Sequence, residues 1–294
     1  MPDFIIIGAM KSATTTLHEQ LARQPGFRMS RPKEPNFFSD DRNFARGLDW
    51  YASCFAGAGD QQIVGETSTH YTKLPTYPRT VLRMVRVLPR VKLIYVMRHP
   101  IDRLRSHYLH DVTVGRIKVG LEEAVDRYPD LVDYGRYSMQ LAPYLLAYGP
   151  EHILSVFHDR LVRHPDLELE RISVFLGAPA PLRWDRALQA QNVGRQRLRH
   201  SLLREFLVQL PVLAPLRHRL IPRSVVERLK EFWRIDMDPP RVSSDLAARL
   251  RAVFDPDLAR LGNWLGIRLD TDSFHDRARE QPARWVQLEQ TRTT

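Results

Sequence analysis

Apolar positions along this chain fall into two kinds of pattern. Uninterrupted runs occur in "FIIIG" at Phe4–Gly8 and "VKLIYVM" at Val91–Met97, with weaker ones in "QIVGE" at Gln62–Glu66 and "HILSVF" at His152–Phe157. Their length and β-branched content predict strands buried on both faces. Between them the spacing turns helical: Leu17 and Leu21 within residues 14–24, Ile101, Leu104, Tyr108 and Leu109 after Pro100, and Tyr137, Leu141, Leu145 and Tyr148 ahead of the last run. Pro100 suits a first helical turn, where its missing N–H costs nothing. Strands alternating with amphipathic helices predict a three-layer α/β fold, a central mainly parallel sheet flanked by helices. The last hundred residues predict a helical C-terminal portion, with Leu246, Leu250 and Phe254 in one stretch and Leu258, Leu261 and Leu265 in the next. With no marked linker, repeat or low-complexity tract, residues 1–294 read as a single domain.

Composition narrows the class without naming a ligand. Hydrophobic residues at 43% and charged residues at 27% of 294 positions fit a folded protein and exclude a disordered or fibrous chain. A formal charge of +10 favours an anionic ligand, nucleic acid or a membrane surface. The single cysteine, Cys54, excludes an internal disulfide and any multi-thiolate zinc site, and reads as a small buried side chain. The apolar start is too short for a membrane span and lacks the basic lead of a signal peptide, so a cytoplasmic protein is expected. "FLVQLPVLAPL", Phe206–Leu216, is short and broken by Pro211 and Pro215; it reads as a helix end or lid, and its flanking arginines leave open peripheral contact at the inner membrane face.

Two segments carry anion-binding chemistry. In "GAMKSATTTL", Gly8–Leu17, a turn joins the first strand to the first helix. Main-chain N–H groups and the helix N-terminus can converge on an anion there, Lys11 adds a point charge, and Ser12, Thr14, Thr15 and Thr16 add hydroxyls around Ala13. Only two residues separate Gly8 from Lys11, so this is not a Walker A motif and a nucleotide hydrolase is disfavoured. The alternative is purely structural: Gly8 ends a strand, Ser12 or Thr14 caps a helix, and Lys11 is solvated. In "VMRHPIDRLRSHY", Val96–Tyr108, Arg98 ends a strand and Ser106 follows eight residues later, two turns into a helix. An arginine fork and a neutral hydroxyl on one face suit a phosphate, although Arg98 could equally pair with a carboxylate. Arg103 and Arg105 read as solvated or salt-bridged.

Together, and in this order, the two segments resemble the phosphosulfate loop and the 3'-phosphate element of sulfotransferases that use 3'-phosphoadenosine 5'-phosphosulfate (PAPS). The resemblance implies a P-loop-like fold, PAPS as donor and 3'-phosphoadenosine 5'-phosphate (PAP) as product. It gives Lys11 the 5' phosphate and the transferring sulfo group, and Arg98 and Ser106 the 3' phosphate. Relatives usually carry glycine where this chain has Ala13; a methyl group is compatible with a negative φ there. His99 stands where relatives often have Asp.

"RPKEPNFF", Arg31–Phe38, is a charged turn followed by two rings able to anchor it in the core, and it resembles the "KEPxFF" segment of heparan-type and bacterial glycan sulfotransferases. That implies Glu34 as the base, with Lys33 and Asn36 on the acceptor side. Taken alone, Lys33 and Glu34 would be an ordinary surface pair. "VGETSTHY", Val64–Tyr71, resembles the family segment Glu-Lys-(Thr/Ser)-Pro-x-Tyr, which assigns Glu66 and Tyr71 to the acceptor. Thr67 replaces its lysine, which argues against a sulfated or uronic-acid polymer, and His70 is a rival base because imidazole titrates near working pH. "HDRL" from His158 suggests Asp159 as a helix cap, and Tyr137 is placed near the cofactor. "QNVGRQR", Gln191–Arg197, resembles the loop that closes over the 3' phosphate, implying Gly194 and Arg195 as contacts within a covering region at 191–240. The resemblance therefore implies sulfo transfer to a hydroxyl of a saccharide, glycolipid or hydroxylated metabolite, with no metal and no dedicated nucleic-acid partner. The rivals are a PAP-binding pseudoenzyme and a basic nucleic-acid-binding α/β protein.

Overall fold

The structure is a computed structural model that describes residues 1–188, 197–198, 234–235 and 240–286. Five parallel strands form its central sheet in the order β2-β3-β1-β4-β5, where β1 is Phe4–Gly8, β2 Phe27–Met29, β3 Ile63–Thr67, β4 Lys92–Met97 and β5 Ile153–Phe157. The predicted strands are all present, while β2 is additional. Alternation along the strands divides the core. Ile5, Ile7, Leu93, Tyr95 and Met97 face one helical layer, and Phe4, Ile6, Ile94 and Val96 face the other, all completely buried. Gly65 on β3 packs under the Phe4 ring, where an added Cβ would lie 2.3 Å from a ring carbon.

Helix α1 (Thr14–Ala22) follows β1, and the short helices α2 (Asp41–Phe44) and α3 (Gly47–Ser53) precede β3. Helix α4 (Thr80–Val87) leads to β4, and α5 (Pro100–Thr113) leaves it with Pro100 in its first turn. After α6 (Leu121–Arg127) and α7 (Asp130–Asp133), α8 (Tyr137–Tyr148) runs into β5, which is followed by α9 (His158–Arg163) and α10 (Pro165–Leu176). Residues Arg197–Leu198 and Arg234–Ile235 pair as a small antiparallel ribbon. The C-terminal portion is helical as predicted, with α11 (Ser244–Leu265) capped by the Ser243 hydroxyl, which accepts from the Leu246 N–H at 3.2 Å, and α12 (Phe274–Glu280).

The chain leaves β1 toward β2 and β3 on one side and continues through β4 to β5 on the other, so the strand order reverses between β1 and β4. A crevice at the carboxyl ends of strands forms at such a reversal, and ligands bind there in open parallel sheets. Both predicted anion segments emerge at that point.

Two local expectations change. Asp159 does not cap α9, which has no side-chain cap; its carboxylate instead accepts from His275 Nδ1 at 2.8 Å. Arg103 is not solvated and makes no ion pair among the described residues: it is completely buried and donates to the Leu131 carbonyl, because its position on α5 points under α7. Arg105 follows the expectation, with an ion pair to Asp102 at 3.3 Å.

Candidate active site

A cleft of about 690 Å³ opens at the β1/β4 crevice. Its floor is the turn between β1 and α1. Gly8 has φ +154°, and an added Cβ would lie 2.0 Å from the Thr72 hydroxyl oxygen, which itself donates to the Ile7 carbonyl at 2.7 Å. The Ala9 N–H donates to Val96 at 2.9 Å, fastening the turn to β4. Lys11 and Ala13 both adopt left-handed backbone, at φ 70° and 65°. Alternating right- and left-handed residues turn successive N–H groups toward one point, the geometry of an anion-binding nest. The expectation of a negative φ at Ala13 is therefore corrected: the position demands the left-handed region, where glycine is unstrained and alanine bears about 1–2 kcal/mol.

Lys11, Ala13, Thr14, Thr15 and Thr16 line the cleft. Ser12 does not: its side chain is fully buried beneath the turn, because the left-handed residues on either side direct it inward, so only its main chain is available to a ligand. Neither Ser12 nor Thr14 caps α1 through its side chain.

Arg98 and Ser106 line the same cleft from β4 and α5. Arg98 Nη1 donates to the Lys11 carbonyl at 3.3 Å, joining the β1–α1 turn to the start of α5 directly. Tyr137 is buried below them. Its hydroxyl donates to the Arg98 carbonyl and accepts from the Arg98 N–H at 3.2 Å, fixing the backbone from which the guanidinium projects. Its place near the cofactor region is thus a supporting one. Neighbouring His99 bonds through Nε2 to the Thr271 carbonyl at 2.8 Å and stacks on His275.

Glu34 is the one carboxylate lining the cleft among the described residues. Thr69 donates to its Oε2 at 3.3 Å, and Lys33 Nζ lies 3.3 Å from its Oε1 while also donating to the Thr15 hydroxyl at 2.6 Å. This pair is more than an ordinary surface contact, since Lys33 ties the turn bearing Glu34 to the first turn of α1. Phe37 and Phe38 anchor the turn as expected, both buried, with Phe37 stacked on Tyr51 at 4.5 Å between centroids.

Glu66, Tyr71 and Asn36 stand apart from the cleft, the first two buried and Asn36 half-buried. Glu66 is completely buried, and accepts from the Tyr51 hydroxyl and, at 2.6 Å, from Ser68. Burial pushes its carboxyl above the usual range, against the hydrogen bonds from Ser68 and Tyr51. Ser68 in turn accepts from the Asn36 N–H at 3.1 Å. Glu66 is therefore a buried anchor for the turn bearing Glu34, reached through Ser68 and Asn36. Tyr71 is also buried, with its carbonyl held by Tyr144 at 2.6 Å. None of the three lines the cleft. Thr67, where the resemblance expects lysine, is buried and within 3.0 Å of His18 Nδ1.

His70 does line the cleft, stacked on Tyr77 at 4.9 Å. Burial, with the Lys73 charge adding to it, lowers its pKa to about 4. It is neutral at neutral pH and has lost the near-neutral titration that made it a rival base. The chain's sequence does not reveal three further groups on the wall: Lys73, carried two residues beyond Tyr71, and His110 and His158. Leu161, Pro165, Trp184 and Leu188 contribute apolar surface to the lining. Gly194 and Arg195, and the run at Phe206–Leu216, lie outside the described residues.

Residues 1–199 match the sulfotransferase domain family. The chain belongs to that family. The sulfotransferase is 31% identical over 254 residues to heparan sulfate glucosamine 3-O-sulfotransferase 6 of both Mus musculus and Homo sapiens, covering 79% of this chain and 69% of each relative. It is 29% identical over 212 residues to the human bifunctional heparan sulfate N-deacetylase/N-sulfotransferase 2, covering 64% of this chain and 23% of that much longer protein. A solved sulfotransferase from Alicyclobacillus acidocaldarius shares the fold at a TM-score of 0.66 and 23% identity, over 92% of this chain and 97% of that one. The activity is transfer of a sulfo group from PAPS to a hydroxyl-bearing substrate. Among the described residues no helix is long and apolar enough to cross a membrane.

Proposed function

We propose that this sulfotransferase acts on a hydroxyl of a saccharide or glycolipid, with Glu34 as the base. The observation that supports it is the placement of one carboxylate, Glu34, in the cleft whose floor carries Lys11. The residues present fit a doubly phosphorylated donor. The nest with Lys11 and the Thr14–Thr16 hydroxyls suits the 5' phosphosulfate, Arg98 and Ser106 suit the 3' phosphate, and the apolar surface of Trp184 suits a purine ring. The bound donor supplies an activated sulfo group whose S–O bond to the 5' phosphate breaks as the acceptor oxygen bonds to sulfur.

The chain's residues manage the charges that accompany this exchange. Glu34 accepts the proton from the acceptor hydroxyl, and Thr69 and Lys33 hold its two oxygens at the edge of the cleft. Lys11, lining the cleft, would stabilise the negative charge that the departing phosphate of a bound donor gains. Arg98 keeps the Lys11 backbone in place through its bond to the carbonyl. Because Glu66 is sealed under this turn, its contribution is to position Glu34. The buried free thiol of Cys54 fits a reducing compartment, and the proposal includes action in the cytoplasm.

Calorimetric titration of PAP into the wild type and into Lys11→Ala and Arg98→Ala tests the donor site. Each variant is expected to lose about 10- to 150-fold in affinity, the range of a hydrogen bond to a charged group. Wild-type affinity in both would refute the assignment.

A further inference from the structure

Lys73 follows the short 3-10 turn Thr69–Thr72, the turn that also carries Thr69, the hydrogen-bond partner of Glu34. Its side chain lines the cleft, yet the residue is only 8% exposed. Among the described residues its ammonium makes no ion pair or hydrogen bond; its close neighbour is the Tyr134 ring, 5.6 Å away. A buried cation without a partner is costly, and proteins ordinarily neutralise it or pair it.

The nearby acids are already engaged. Arg116 holds Asp130 through two bonds of 2.8 and 2.9 Å and also reaches Asp111. Glu34 pairs with Lys33 at 3.3 Å. Burial lowers the Lys73 pKa to about 8, with Glu34, Asp111 and Asp130 opposing from a distance, so most of the population still bears a charge at neutral pH. The donor's own anions have other partners in the nest, Lys11, Arg98 and Ser106. What is left for Lys73 is an anion that arrives with the acceptor, beside the base.

Resting on the proposed acceptor site, we infer that Lys73 forms a subsite for an anionic substituent, a carboxylate or sulfate ester, on the acceptor. The acceptor class thereby narrows from hydroxyl compounds in general to acidic ones. Thr67 is uncharged and hydrogen-bonded to His18; Lys73 supplies a cation from a different position in the chain.

Three matched probes separate the possibilities: 4-nitrophenyl β-D-glucuronide, 4-nitrophenyl β-D-glucoside and its 6-sulfate. Each is titrated into PAP-saturated wild type, Lys73→Met and Lys73→Arg, and each is assayed for sulfo transfer from labelled PAPS. Wild type is expected to bind at least one acidic probe about 10- to 150-fold more tightly than the neutral glucoside. Which acid is preferred distinguishes carboxylate from sulfate ester. Lys73→Met should bring that ratio close to one, through KM more than kcat, and Lys73→Arg should restore much of it. A ratio near one in wild type would overturn the inference. So would a Lys73→Met variant that binds PAP and keeps the ratio while losing turnover on every probe, which would place Lys73 at the transferring group. Preferred binding of an acidic probe without transfer to any would instead count against the saccharide-hydroxyl reading and leave the anion subsite standing.

Discussion

Replacing Ala13, the residue immediately ahead of α1, by glycine should stabilise this protein. With Ala13 at φ 65°, the substitution removes a left-handed penalty of about 1–2 kcal/mol. Against this stand the larger conformational freedom of glycine in the unfolded chain, about 0.4–1 kcal/mol, and the lost methyl group. That methyl is partly buried against the cluster containing Leu17 and Val156, so about half the value of a buried methylene, ~0.4 kcal/mol, is forfeited. Taking the middle of each range leaves a net gain of about 0.4 kcal/mol. At a negative φ the first contribution vanishes, and the same change would cost about 1 kcal/mol. Urea denaturation at constant m resolves the sign. Ala13→Val is the companion measurement, because a β-branched residue is poorly accommodated at this φ and should destabilise. A Gly variant less stable than wild type by about 1 kcal/mol would refute the left-handed assignment and, with it, the converging N–H groups of the nest.

Two further outcomes follow from the cleft and its surroundings. Glu34→Gln should lower kcat by about 10²- to 10⁴-fold with PAP affinity retained, whereas His70→Asn should lose less than about tenfold, measured with labelled PAPS. Equal losses would remove Glu34 as the base. His275 is held protonated by Asp102 at 3.3 Å and Asp159 at 2.8 Å, which raise its pKa to about 9 from 6.5. Its folded pKa lies above its unfolded one, so its stabilising contribution is fully present below about pH 6.5 and is lost as pH rises through 9. Thermal unfolding followed from pH 6 to 10 should show that decline in wild type and a shallower one in His275→Gln; identical slopes would contradict the bridge.

The main strands were legible because β1 and β4 are apolar on both sides, a pattern that needs no tertiary context. The short strand β2 was not: it has three residues, and Arg28 in its centre, which reaches the Ala56 carbonyl at 2.7 Å, breaks the apolar run. Lys11, Arg98, Ser106 and Glu34 could be proposed for one cleft because each sits in a segment with its own chemical signature, and the fold brings all four to its lining. Ser12, Glu66 and Tyr71 look equally suited to a ligand on paper. Their burial depends on partners far away in sequence, such as Tyr51 for Glu66 and Tyr144 for Tyr71, which local pattern does not contain. The φ at Ala13 was illegible for a related reason, as alanine has no side-chain group that signals a left-handed turn. Lys73 belongs to no motif, and only the fold shows that its charge is enclosed.

The reversal of strand order between β1 and β4 divides the labour of this cleft in a way that bears on redesign. Lys11 and Arg98, the proposed donor contacts, lie just beyond the ends of two hydrogen-bonded central strands, whereas Glu34, Thr69, His70 and Lys73 ride on the connections around residues 31–38 and 68–73. Those connections meet the sheet through a few discrete fastenings, among them Ser68 to Ile6 at 3.1 Å and Thr72 to Ile7 at 2.7 Å. An exchange of both segments that preserves Glu66, Ser68 and Thr72 could thus transplant a new acceptor preference while the donor machinery stays as it is, making the two halves of the reaction separately evolvable.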